Sequence, residues 1–212
     1  MRIILGLVLF FVSRHNAFSQ NWELKNNQDS IYILKDNQSF LPYAVTEVSA
    51  FSEGKAWICR GGKYAYIDTL GKELTDTNFT IVFPFINGFA VIGIDSLYGV
   101  INSAGEQIAP AYYSWINSYV DSIAVAQKDG YWGLLDSAGN EILEPSADEP
   151  LIRLANKHWA MKFKGYWGVL NKELQIVYPF KYDCILKDGT AYLKNQKIKL
   201  ELWWIKGNTK AK

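Results

Sequence analysis

Gly130-Tyr131-Trp132-Gly133-Leu134-Leu135-Asp136-Ser137-Ala138-Gly139 is the stretch from which the rest of the chain can be read: a short apolar run closed by an acidic residue and a glycine turn. Related segments stand at Gly62 to Gly71, Ser96 to Gly105 and Gly165 to Leu174, so the chain is a tandem repeat. Working outward, a small residue in a short apolar strand recurs at Ala56, Ala90, Ala124, Ala160 and Ala191, in steps of 34, 34, 36 and 31. Eight residues after the first three come Tyr64, Tyr98 and Trp132, and seven after Ala160 comes Trp167.

Between these two columns fall Gly61-Gly62, Asp95-Ser96, Asp129-Gly130, Lys164-Gly165 and Asn195-Gln196. Several supply residues that tolerate the positive φ of a two-residue hairpin loop. Ile123-Ala124-Val125-Ala126 is therefore expected to pair antiparallel with Tyr131-Trp132-Gly133-Leu134-Leu135, and the neighbouring repeats to do the same. A second turn, [Asp/Asn]-x-x-Gly, recurs at Asp68 to Gly71, Asn102 to Gly105 and Asp136 to Gly139. Its side-chain oxygen can cap the turn while Gly takes the left-handed position. The fourth copy has Leu174 in place of Gly, which predicts a turn of different shape.

A third strand follows each such turn, at Lys72-Glu73-Leu74, Glu106-Gln107-Ile108, Asn140 to Leu143 and Gln175 to Tyr178, completing a three-stranded meander. Pro and aromatics come next, as in Pro110-Ala111-Tyr112-Tyr113 and Pro179-Phe180-Lys181-Tyr182, with Pro42-Tyr43 earlier. Because Pro cannot donate to a ladder, it is expected to mark the end of each meander. Glu144 to Pro150, rich in Pro and acid, is the expected site of a protruding loop or local irregularity. Residues 21 to 41 read as a degenerate first unit and Ile198 to Trp204 as a closing strand.

These residues resemble the WG repeat family, whose units run through a Gly-x-Ala strand, a turn, an aromatic-Gly strand and an x-x-Gly turn. Phe51-Ser52-Glu53-Gly54-Lys55-Ala56-Trp57 and Tyr131 to Gly139 carry the likeness most closely, over a span from about Pro42 to Leu193. Only Trp132-Gly133 and Trp167-Gly168 keep the literal dipeptide; Tyr98-Gly99 and Tyr64-Ala65 are looser versions. The resemblance implies a β-repeat protein, frequent among bacterial exported proteins, and carries over no catalytic residues. Without the family, a large aromatic beside Gly still reads as a stacking device: the ring buries against the next unit and the Gly admits a close neighbour. Tyr64, Tyr98, Trp132 and Trp167 are thus expected to be core between repeats.

The 212 residues suit one domain with a sizeable core. A composition 49% hydrophobic and 20% charged, with formal net charge +1, argues against disorder and against a nucleic-acid footprint. Residues 1–19 read as a signal peptide: Arg2 precedes the apolar run Ile3 to Val12, and Ala17-Phe18-Ser19 offers small residues for cleavage. That run falls short of the roughly twenty residues of a membrane span, so none is expected in the mature chain. Residues 20–205 then form a single repeat domain and 206–212 a basic tail carrying Lys206, Lys210 and Lys212. Cys59 and Cys184, near opposite ends of the array, read as buried thiols rather than a disulfide.

Catalytic material is scarce. After processing, His158 is the one histidine, at a strand-edge position two before a ruler alanine, and no nucleophile elbow, phosphate loop or zinc motif is present. Asp68, Asp136, Glu73 and Glu141 lack the ligand ladder of a calcium loop and read as turn caps, so neither metal nor cofactor is expected. Asn37-Gln38-Ser39 and Asn78-Phe79-Thr80 match the glycosylation acceptor pattern. The remaining functional signal is aromatic: 15% of residues, with Tyr112, Tyr113, Trp115, Tyr119, Trp159 and Tyr182 in the less regular segments, where rings could stack on a sugar or a protein partner.

The reading is an all-β protein of tandem three-stranded meanders, about 34 residues each, in an open solenoid-like array, with propeller-like closure as the alternative. Its expected role is an exported, non-enzymatic binding scaffold for an envelope protein or glycan, in the periplasm, at the outer membrane or secreted. The rival is an envelope glycan hydrolase, for which Glu144, Asp148 and Glu149 are the nearest acidic cluster.

Overall fold

In the computed structural model, backbone is described for the strands at 22–27, 30–35 and 38–39, and the chain is described throughout from 41 to 202. The signal peptide, the basic tail, Trp203-Trp204 and the Asn37 acceptor lie outside the described residues. The chain groups into two compact units, Met1–Thr46 and Glu47–Lys212. In the first, β1 (Trp22–Asn27), β2 (Ser30–Lys35) and β3 (Gln38–Ser39) form an antiparallel meander.

Among its described residues the second unit holds five antiparallel sheets in chain order, and none of these closes on itself into a barrel. The first comprises β4 (Glu47–Val48), β5 (Lys55–Arg60) and β6 (Lys63–Asp68); the second β7 (Ile81–Val82), β8 (Phe89–Ile94), β9 (Leu97–Asn102) and β10 (Gln107–Tyr113). The third is built from β11 (Trp115–Ile116), β12 (Ala124–Lys128), β13 (Tyr131–Leu135) and β14 (Glu141–Ala147), and the fourth from β15 (Ile152–Arg153), β16 (Trp159–Phe163), β17 (Tyr166–Leu170) and β18 (Ile176–Tyr182). β19 (Cys184–Ile185), β20 (Thr190–Leu193) and β21 (Gln196–Lys199) make the fifth. The fourth strand of the middle sheets was not expected. At two residues, β7, β11 and β15 are too short to carry a period.

The hairpin turns fall where the sequence placed them, with one shift. Asp129 and Gly130 both have positive φ, 53° and 83°, between paired Lys128 and Tyr131, and the same holds at Gly61-Gly62, Asp95-Ser96 and Lys164-Gly165. In the fifth sheet the turn is Lys194-Asn195, one residue earlier than expected, because Leu193 pairs with Gln196. Positive φ at both central positions matches the twist of the strands it joins.

The capped turn also forms in each copy. Asp136 Oδ1 accepts from the backbone N–H of Ala138 and Asn140, both at 2.9 Å, and Asp68, Asn102 and Asn171 do likewise. Leu174 corrects the expectation for the fourth copy: it takes φ 62° and donates to the Asn171 carbonyl at 3.0 Å, so the turn keeps its shape without glycine. Against Asp136's carboxyl, burial acts to raise the pKa, and the hydrogen bonds from Asn140, Ala138 and Gly139 outweigh it and hold it below its ordinary value.

In the fifth repeat Asp188 accepts from the Thr190 N–H and hydroxyl, each at 2.9 Å, and from Lys199 at 3.2 Å, which hold its carboxyl at about 2. A folded-state pKa below the unfolded value of about 3.9 means a stabilisation fully present above that value and lost as pH falls towards 2. We expect the urea midpoints of wild type and Asp188→Asn to differ at pH 5 and to converge by pH 2. A difference independent of pH would contradict the assignment.

The third strands overturn the expected role of proline. β10, β14 and β18 run on through Pro110, Pro145 and Pro179. Each carries the same bulge: Ala109 pairs with Val100 and Tyr113 with Tyr98, Leu143 with Leu134 and Ala147 with Trp132, Tyr178 with Val169 and Tyr182 with Trp167. The excess residues, Pro among them, leave the ladder on an edge strand, where a missing N–H is tolerated. Opposite each bulge stands the glycine of the aromatic-Gly pair. A Cβ on Gly99 would lie 2.6 Å from the Ala109 carbonyl oxygen, and one on Gly133 would collide with the Leu143 carbonyl and sit 2.9 Å from Pro145 N. In the first repeat, where Ala65 occupies this position, the third strand is reduced to isolated bridges at Glu73 and Phe79. The irregularity expected in Glu144 to Pro150 is this bulge, followed by Asp148, whose N–H donates to the Lys162 carbonyl.

Successive sheets pack face to face, so the middle strands are buried on both sides. One apolar cluster joins Val91, Val100 and Tyr113 of the second sheet to Ile116, Tyr119 and Leu135 of the third repeat; others link the third to the fourth and the fourth to the fifth. All five ruler alanines are buried, being small enough to let the next sheet approach. Tyr98, Trp132 and Trp167 pack into these clusters and Tyr64 into the one between first and second sheets, as expected of inter-repeat core.

Candidate functional site

The six aromatics singled out from sequence separate into two groups. Tyr113, Tyr119, Trp159 and Tyr182 are buried, so a ligand cannot stack on them without opening the core, whereas Tyr112 is 65% exposed and Trp115 52%. The buried phenols serve packing and hydrogen bonding. Tyr113 donates to Glu141 at 2.9 Å, the same carboxylate that pairs with Lys128 at 3.0 Å, and Tyr119 donates to the Asp136 carbonyl at 3.0 Å. Burial pushes both phenols well above their ordinary range, with the Glu141 and Asp136 carboxylates adding to it respectively. Trp159 lies under the Arg153 guanidinium, 4.5 Å from its ring centre, and Tyr182 belongs to the core between the fourth and fifth sheets.

Trp115 opens the third sheet as the first residue of the short edge strand β11, and across from it the second sheet contributes a cleft. About 270 Å³ in volume, this cleft is lined by Phe83, Pro84, Phe89, Val91 and Tyr98 on one side and by the run Trp115 to Tyr119 on the other. Phe83 and Trp115, the former 44% exposed, bracket Tyr98 at ring separations of 6.3 and 6.2 Å. Tyr119 stacks on Phe89 at 4.3 Å and is locked by its bond to Asp136, which fixes the floor. Asn117 at the rim accepts from the Val125 N–H through Oδ1 at 2.7 Å. No lining residue is charged.

Sequence reasoning found Trp115 and Tyr119 but missed Phe83, Pro84 and Tyr98. Tyr98, expected in the core from its place in the aromatic column, is half-buried. Phe83-Pro84 lies just beyond the two-residue strand that periodicity could not detect.

His158 is buried, with Nδ1 at 3.2 Å from the Ala155 carbonyl and 3.0 Å from that of Asn156, a position set by the turn at Asn156-Lys157. Of the acidic cluster, Asp148 accepts from the Gly165 N–H at 2.7 Å, Glu149 pairs with Lys162 at 2.5 Å, and Glu144 is exposed. Cys59 and Cys184 are not joined by a disulfide. Among the described residues no group of His, Cys, Asp and Glu is placed to hold a metal ion, and no helix is long and apolar enough to cross a membrane.

A stack of meander sheets with an aromatic cleft defines a tandem β-repeat scaffold. The model of the WG containing repeat family matches residues 35–132 as three consecutive units, at 35–64, 64–98 and 98–132. The units meet at Tyr64 and Tyr98 and the last ends at Trp132, all residues of the aromatic column. No curated protein sequence matches the chain. Among solved structures it is similar to a eukaryotic initiation factor, at 13% identity and TM-score 0.43, over 84% of this chain and 60% of that one. It is also similar to Hsv2p of Kluyveromyces lactis, at 14% and 0.36 over 73% and 59%, and to PorZ of Porphyromonas gingivalis, at 11% and 0.30 over 78% and 27%. The chain thus spans about 60% of the length of the first two.

Proposed function

We propose that this protein is an exported, non-enzymatic binding scaffold that contacts an envelope partner, protein or glycan, through the cleft between its second and third sheets. The observation that carries the reading is the half-exposed pair Phe83 and Trp115 around Tyr98. Elsewhere the aromatic columns are spent on packing; here rings line an open, preformed apolar recess, the usual form of a recognition site. Repeats that hold one another rigidly also suit a role in which a surface is presented. Export rests on the sequence of residues 1–19. The hydrolase alternative draws little support from Asp148 and Glu149, which are engaged by a backbone N–H and by Lys162.

The test is a glycan array run beside a pull-down from envelope extract, each with wild type and Trp115→Ala. A ligand held by wild type and weakened at least about tenfold in the variant, equivalent to roughly 1.4 kcal/mol, is expected. Blanks in both assays would overturn the scaffold reading. So would cleavage of a cell-wall polysaccharide that Glu149→Gln abolishes. Finding residues 1–19 in the mature protein by mass spectrometry would overturn export.

A further inference from the structure

Resting on that reading, we infer that the occupant of the cleft is an uncharged apolar side chain carried by an extended peptide of a protein partner, and not a sugar ring. Three observations point the same way.

The first is charge. All ten lining residues are uncharged, so an ionic group entering the cleft would lose its hydration without gaining a partner.

The second is hydrogen-bonding capacity. Of the polar groups in the lining, the Tyr119 hydroxyl is spent on the Asp136 carbonyl and the Asn117 side-chain oxygen on the Val125 N–H. What remains is the Asn117 amide nitrogen, the Ser118 and Tyr98 hydroxyls and the Trp115 indole N–H. A hexose brings several hydroxyls, each needing a partner once buried, and this mostly apolar wall offers few. A leucine, methionine or phenylalanine side chain asks for none. The volume, about 270 Å³, suits one such group and is below the usual range for a drug-sized ligand.

The third is the backbone beside the cleft. One wall lies on an outermost strand: β11, which carries Trp115 and Ile116, begins the order β11-β12-β13-β14, whereas the opposite wall comes from β8, β9 and the Phe83-Pro84 segment, where the Phe83 N–H and carbonyl are already bonded to the Val91 carbonyl and the Tyr66 hydroxyl. An outermost strand presents backbone donors and acceptors on one side, which an extended peptide can pair with while a side chain fills the recess. A sugar hydroxyl can bond such a group singly but cannot continue the ladder.

Ligand-observed saturation-transfer NMR on the full chain tests this with four probes: N-acetyl-leucinamide, N-acetyl-phenylalaninamide, N-acetyl-lysinamide and methyl glucopyranoside. The two apolar amides are expected to bind with Kd on the order of 1 mM, to weaken about tenfold or more in both Trp115→Ala and Phe83→Ala, and to outcompete the other two probes. Each variant is accepted only if its unfolding midpoint stays near wild type; two variants keep the test open if one of them is misfolded. Transfer to the glucoside that both variants abolish, with the amides silent, would overturn the inference and leave a glycan scaffold standing. Silence of all four probes, or binding indifferent to both substitutions, would also overturn it. In that case the scaffold reading stands or falls separately on the array and the pull-down.

Discussion

Replacing Gly139 with Ala is expected to destabilise the second unit by about 3 kcal/mol, the larger of the two main effects we predict. Gly139 closes the capped turn of the third repeat with φ 83°, and a Cβ there would collide with the Ile108 carbonyl of the preceding repeat. A left-handed non-glycine residue costs about 1 to 2 kcal/mol, and forcing backbone apart in a packed interior adds about 1 to 3. Gly105 stands against the Leu74 carbonyl in the same way one repeat earlier, so these turns are seats on which one unit rests on the last. Gly130 is the control. It has the same positive φ, but nothing lies within 4 Å of an added Cβ. Gly130→Ala should therefore cost only the conformational part, about 1 kcal/mol. Urea unfolding of the two variants checks this; equal losses would mean that the turn does not bear on the neighbouring repeat.

Gly133→Ala should cost about 2 kcal/mol, entirely from crowding, because its φ is not positive. The added methyl would press on the bulge of β14 at Leu143 and Pro145, so the strand should loosen there first. The first repeat already has Ala at this place, Ala65, and lacks a continuous third strand. Amide hydrogen exchange is expected to rise along β14 in the variant, in residues 141–147, and much less along β12. Uniform loss of protection in both strands would contradict the local account.

Much of this architecture was legible in the chain because the repeat states it several times over. Turn residues such as Asp129-Gly130 and caps such as Asp136 have local causes, and their spacing carried the strands between them. What remained hidden had non-local causes or left no pattern. Two-residue strands such as β7 have no period, so the fourth strand of the middle sheets went unseen. Pro110 read as a strand end because the bulge that accommodates it depends on Gly99, across the sheet. Leu174 read as a different turn because the bonds of Asn171 override its side chain's preference. Among the aromatics, sequence could not separate buried Tyr113 and Trp159 from exposed Trp115, since all three stand at strand positions without a clear period and burial is decided by the neighbouring sheet. Phe83 and Tyr98 join Trp115 only once the second and third sheets are stacked.

The shared residues hold the sheets together, and around Tyr98 of the shared aromatic column residues the repeats do not share, Phe83 and Trp115 among them, open the cleft. That division is tested most directly by measuring ligand affinity and unfolding midpoint on the same preparation of Trp115→Ala. The account predicts a midpoint shift equivalent to less than about 1 kcal/mol of unfolding free energy, as for a half-exposed ring, with affinity for the captured partner lowered at least about tenfold. Undiminished affinity in a variant that is folded as well as wild type would contradict it.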